Sequence, residues 1–187
     1  MQEQTIYSRL ALLFEYPEEG YGERALECLE ELSREKSPAA LLLEKFCAEI
    51  RHLTTDELQE LFTRTFDLNP VCTLEIGWHL YGEEYQRGEF LVKMRQQLRA
   101  QEVEESIELP DHLTHALTLL GRLEPDEAAE FAGQYLLPAL DKMRAGWQKN
   151  HNAFRALLDA AFVLLESRYP YEPARLPARA PALRVLQ

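Results

Sequence analysis

Apolar residues recur every three or four positions through nearly the whole chain, and no stretch alternates with a period of two. A chain patterned in this way buries helical stripes rather than sheet faces. Ile6, Leu10, Leu13 and Phe14 share one face of a first helix, which ends near Tyr16 because Pro17 disfavours helical geometry in the residue before it. No element is assigned between Pro17 and Ser37. Ser37-Pro38 supplies a cap and a first-turn proline for a helix carrying Leu42, Phe46, Ile50 and Leu53, and Thr54 with Glu57 has capping-box spacing ahead of Leu58, Leu61, Phe62 and Phe66. Leu91, Met94 and Leu98 define another helix. After a break at Glu108-Leu109-Pro110 come Leu113, Leu117 and Leu120, closed by Gly121. Glu124-Pro125 restarts the pattern, and the series Ala132, Leu136, Leu140, Met143, Trp147 runs through Pro138, as a kinked but continuous helix would. Phe154, Leu157, Leu158, Ala161 and Leu165 make the last helix.

The expected fold is all-α, a single-domain bundle of roughly eight to ten helices over residues 1–167. From Arg168 to Gln187 the periodicity stops, and four prolines, four arginines and one glutamate predict an extended, mobile tail of charge +3 (four Arg minus one Glu). With -12 for the whole chain, the helical body carries -15. Such a body repels a phosphate backbone, so nucleic acid is excluded as a partner and a cationic peptide or protein surface is favoured.

Cys28, Cys47 and Cys72 are odd in number and form no C-x-x-C, which argues against a disulfide framework and a thiolate zinc site and fits reduced thiols in a cytoplasm. The apolar run Leu10–Phe14 is too short for a signal-peptide core, and no segment approaches the ~20 apolar residues that span a bilayer. The expected protein is soluble, cytoplasmic and not inserted in a membrane.

Two stretches concentrate chemistry. In "DLNPVCTLEIGWHLYGEEYQRG", Asp67 to Gly88, the residues Val71, Leu74, Trp78 and Tyr81 form one apolar stripe, with Ile76 and Leu80 on other faces. A helix apolar nearly all round is expected in the middle of a bundle. Cys72, Glu75 and His79 share a side at helical offsets, which permits a metal site but equally a small buried thiol beside a mutually satisfied Glu-His pair. Asp111, His112 and His115 follow Pro110 at a helix start, either converging on a ligand or, more simply, with Asp111 as the cap and the histidines exposed. No Ser sits in a G-x-S-x-G elbow, and no nucleophile has an adjacent base in a local motif.

These same stretches resemble a known family. Glu108-Leu109-Pro110-Asp111-His112 is similar to the E-x-P-D-H element of the redox-enzyme maturation chaperones, the TorD/DmsD/NarJ family. His79 with Gly82-Glu83, followed by Arg87-Gly88, resembles the H-x-x-G-E and R-G of the nitrate reductase branch, and "SRLALLFEYPEE", with Leu13, Tyr16 and Pro17, is similar to its start. The resemblance spans about Ser8 to the last helix; Gly77-Trp78 departs from it, standing where a bulkier or acidic pair is usual, and the tail has no counterpart.

The resemblance implies an all-helical cytoplasmic chaperone, neither an enzyme nor a subunit of the finished complex. It would bind the N-terminal leader, or its remnant, of a molybdoenzyme catalytic subunit, foremost a respiratory nitrate reductase, and hold the apoenzyme for molybdenum-cofactor insertion. Contacts with cofactor-delivery proteins, and a monomer or helix-swapped dimer, are compatible with it; no cofactor or metal of its own is expected. Leaders of this kind pair basic residues with an apolar helix-forming run, so the expected receiver is a groove with apolar anchors at Trp78 and Tyr81, carboxylates at Glu75, Glu83, Glu108 and Asp111, and His79 and His112 along its wall. Asp111 is also expected to fix the loop geometry, and Arg87-Gly88 to serve structure. Two other readings stay open: a helical metal-dependent hydrolase using Asp111, His112 and His115 with Glu75 or His79, and a generic helical adaptor.

Overall fold

Ten α-helices make up the described part of the chain, which the computed structural model gives for residues 5–147, 152–169 and 171. Helix α1 (Ile6–Ala11) is capped by Thr5 and runs into a 3-10 turn that closes at Phe14. Helix α2 (Tyr21–Arg34) fills the stretch left without an element; Tyr21, Ala25, Cys28 and Leu32 recur at helical spacing on its buried face. Helix α3 (Ala40–Ile50) begins two residues after Pro38, with the Ser37 hydroxyl accepting the Ala39 N–H at 3.3 Å. Helix α4 (Thr55–Phe62) has the full Thr54/Glu57 capping box and widens into a π turn, Thr63–Asp67.

The stretch Asp67 to Gly88 is not a mid-bundle helix. Its first part, with Val71, Cys72 and Leu74, is irregular, and only Ile76–Tyr81 (α5) is helical before Gly82 turns the chain at a φ of 60°. Residues 72–74 are non-helical and Glu75 is extended (φ -79°, ψ 104°), so Cys72 and Glu75 stay outside the helix that carries His79. Helix α6 (Tyr85–Ala100) follows, then α7 (Leu113–Leu120) and α8 (Pro125–Phe131). A π turn at Ala132–Leu136 joins α8 to α9 (Leu137–Gly146), so the chain stays helical through Pro138, whose missing N–H falls where the wide turn has just relaxed the ladder.

The middle of the bundle belongs to α10 (Ala153–Arg168), which packs on α3 and α9, and to α7, which packs on α1. Both bury residues on nearly every face, including Phe154, Leu157, Leu158, Ala161 and Leu165 of α10. Phe46, Phe62, Phe66 and Phe154 meet edge to face or tilted with ring centroids 5.0–5.6 Å apart, an aromatic centre that knits α3, α4 and α10. The tail begins docked: Tyr169 and Tyr7 share a hydroxyl hydrogen bond of 2.9 Å, and the Tyr171 ring lies edge-on to Phe162. The rest of the expected tail lies outside the described residues.

Candidate functional site

No strand is expected and none forms among the described residues, yet one isolated antiparallel bridge does, between Glu75 and His112. Ile76 N–H donates to Asp111 O at 2.9 Å and Leu113 N–H to Leu74 O at 2.8 Å, so the two chemistry-bearing stretches are zipped together although far apart in sequence. Everything of interest lies on one side or the other of that bridge.

Beneath it is a clamp. Asp111 is fully buried and does not cap its own helix; His112 does, its Nδ1 accepting the Thr114 N–H. Asp111 Oδ2 instead accepts the Gly77 N–H at 3.1 Å, capping the neighbouring α5 across a gap of 34 residues, with Arg87 Nε 3.7 Å away. The guanidinium of Arg87 lies 5.5 Å from the centre of the Trp78 ring, and Trp78 Nε1–H donates to Pro70 O at 3.2 Å. This geometry explains Gly77: a Cβ there would stand 2.5 Å from Asp111 Oδ2 and 2.9 Å from Phe90. His79 Nε2–H donates to Thr73 O at 2.7 Å, Tyr81 packs on Phe90 at 5.4 Å, and Glu83 is exposed in the turn before α6.

Above the bridge opens a cleft of ≈ 1270 Å³. Its floor is the aromatic centre, through Phe14, Phe62 and Phe66; its walls carry Glu15, Glu18, Asp67, Glu75, Glu102, Glu104 and Glu108 against Arg24 and Arg122. Burial raises the pKa of Glu15 and Asp67, and a neighbouring carboxylate adds to it in each case, Glu18 for the first and Glu75 for the second. The excess of carboxylates over guanidiniums around the cleft favours an incoming cation. Of the residues singled out from sequence, Glu75, Glu108 and His112 line the cleft; Trp78, His79, Tyr81, Glu83 and Asp111 do not. Those missed were Tyr16, Glu15 and Glu18 of the "FEYPEE" segment, and Glu102 and Glu104 ahead of Glu108; their signal was present, since that segment carries part of the family resemblance and the 102–108 loop is a run of acids.

His115 is buried, not exposed, and it shapes the cleft wall. Its Nδ1–H donates to Leu109 O at 2.9 Å while its Nε2 accepts the Ser106 N–H at 3.0 Å, which folds the 106–109 loop and leaves Ile107 fully exposed beside the acids. Among the described residues no three His, Cys, Asp or Glu side chains converge as metal ligands, and Cys28, Cys47 and Cys72 are free and buried. No described helix is long and apolar enough to cross a membrane.

The profile of the nitrate reductase delta subunit family matches residues 30–160, well over half of the chain and both sides of the bridge. The chain belongs to that family. It is also 28% identical over 163 residues to the nitrate reductase molybdenum cofactor assembly chaperone NarJ of Escherichia coli K12, covering 85% of this chain and 67% of that protein. The NarJ protein of E. coli O157:H7 matches with the same figures. In this member of the nitrate reductase delta subunit family, the bridged residues Glu75 and His112 both lie within the matched stretch.

Protonation pulls the site in two directions. Burial, against the opposing pull of Arg87, raises Asp111 from 3.8 to about 6, and burial lowers His112 from 6.5 to about 4. Folded Asp111 keeps a proton that the unfolded chain has lost, so its contribution to stability falls as pH rises from 3.8 towards 6. Folded His112 refuses a proton that the unfolded chain accepts, so its contribution falls as pH drops from 6.5 towards 4. The two largely offset each other in wild type. Asp111→Asn removes the first effect only, and its urea midpoint should therefore fall more steeply than wild type between about pH 7 and about pH 4.5. Parallel midpoint curves would contradict this assignment.

Proposed function

We propose that the protein is a cytoplasmic assembly chaperone of the nitrate reductase type, not an enzyme. It binds the N-terminal leader, or its remnant, of a molybdoenzyme catalytic subunit and holds the apoenzyme until the molybdenum cofactor is inserted. The observation that carries the reading is the cleft, an apolar floor between acidic walls, matched in chemistry to a basic segment with an apolar run. Apolar anchors set the affinity, since burying one Leu- or Phe-sized side chain is worth roughly 1.5–3 kcal/mol. The carboxylates set orientation and on-rate, an exposed ion pair giving only about 0–1 kcal/mol.

Within that reading Glu75, Glu108 and His112 face the leader from the cleft. Asp111 and His79 are positioning residues that hold α5 and the 73–75 segment, and Trp78, Tyr81 and Glu83 offer a second patch beside the clamp for the rest of the client. Titration calorimetry with a synthetic N-terminal peptide of the molybdoenzyme catalytic subunit from the same genome should show saturable one-to-one binding that weakens severalfold from low to high salt. A scrambled peptide binding equally well would reduce the protein to a generic helical adaptor, and no binding at all would overturn the leader reading.

A further inference from the structure

The acidic cleft has a ligand of the right chemistry on its own chain. We infer that the segment after Tyr171, residues 172–187, docks intramolecularly in the cleft and must be displaced before another chain can enter. Arg175, Arg179 and Arg184 punctuate an otherwise apolar run with Leu176, Leu183, Val185 and Leu186, the mixture that the cleft's carboxylates and phenyl floor receive. The segment's charge of +2 (three Arg minus one Glu) opposes -14 on the rest of the chain. Pro173, Pro177 and Pro181 restrict the segment's backbone, which reduces the entropy lost on docking.

The segment also reaches. Phe154, at the start of α10, lies 5.2 Å from Phe66 in the cleft floor, and the 16 residues of α10 place its far end about 24 Å away at ~1.5 Å per residue. Residues 172–187 span up to about 50 Å when extended. Arg168, Tyr169 and Tyr171 anchor the start of that path: Arg168 pairs with Glu35 and Tyr171 donates to Asp141. Tethering holds the segment at an effective concentration of about millimolar, enough to exclude a weakly binding competitor. That the displacing chain is a client leader rests on the proposed function; the docking itself does not.

The test uses the full chain, as wild type and with Arg175→Glu, Arg179→Glu and Arg184→Glu combined, titrated with a labelled peptide of sequence 172–187. The variant, its cleft vacated, should bind the peptide at least about tenfold more tightly than wild type and should melt a few degrees lower, because the docked segment stabilises only the folded state. Equal affinities, or no binding to the variant, would overturn the inference. So would a wild-type dimer that the three substitutions convert to a monomer, since the tail would then occupy a neighbour's cleft. A leader peptide titrated in parallel separates the two readings: leader binding without the tail effect sinks only this inference, and the tail effect without leader binding sinks only the client assignment.

Discussion

Asp111→Ala should be less stable than Asp111→Asn by about 2–4 kcal/mol in unfolding free energy. Both substitutions remove the buried charge and its pairing with Arg87, so these terms cancel in the comparison. Asparagine keeps an oxygen for the Gly77 N–H and fills the space; alanine leaves that donor unsatisfied at the start of α5 and a small cavity beneath Phe90. Because burial raises the Asp111 pKa to about 6, the anion is disfavoured in the folded state near neutrality, and the asparagine variant should match or exceed wild type there. Arg87, with its side chain 22% exposed and lying over Trp78, can turn towards water once its partner is neutral. Chemical denaturation at neutral pH reads the difference. Leader affinity should stay within about twofold of wild type in the asparagine variant; a larger loss in a fully folded protein would place Asp111 on the ligand rather than beneath the bridge.

Ile107→Ser should weaken leader binding by about ten- to a hundredfold and leave the melting temperature unchanged. An isoleucine that is fully exposed in the free protein stabilises nothing there, so removing it costs the fold nothing. The loop that presents it is nonetheless fixed, by His115 at Ser106 and Leu109 and by the Glu108 N–H donated to Ser106 Oγ at 3.2 Å. An apolar side chain held rigidly over an acidic cleft buries its surface only when a partner arrives, and it pays little ordering cost then. Calorimetry with the leader peptide and a thermal melt of the same preparation decide the matter. Unchanged affinity would move the leader away from this wall of the cleft.

Sequence patterning failed where it had to join distant residues. The stretch from Asp67 to Gly88 has helical spacing on paper, but Glu75, held extended in the bridge to His112, and Gly82 confine the helix to six residues, and the apolar Cys72 and Leu74 are buried from irregular backbone. Asp111 followed by His112 reads as a cap one residue too early. The error arises because a carboxylate can serve any helix N-terminus within reach, and the one within reach here belongs to α5. His115 looked like a surface residue because its two partners, Ser106 and Leu109, come from a loop with no periodicity to betray it.

What the sequence alone determined is what depends on neighbours within a turn or so: an all-helical chain, the Thr54/Glu57 box, the restart at Pro125 and the continuity through Pro138. The family motifs also marked both halves of the site. Tertiary structure decided that α10 and α7 are the central helices, that Glu75 and His112 pair, and that Asp111 lies beneath the cleft while Glu15, Glu102 and Ile107 line it. The physical reason is range. Caps, prolines and helical stripes act through bonds and contacts a few residues apart, whereas a cleft is the space left between elements whose order in the chain does not state which of them will meet.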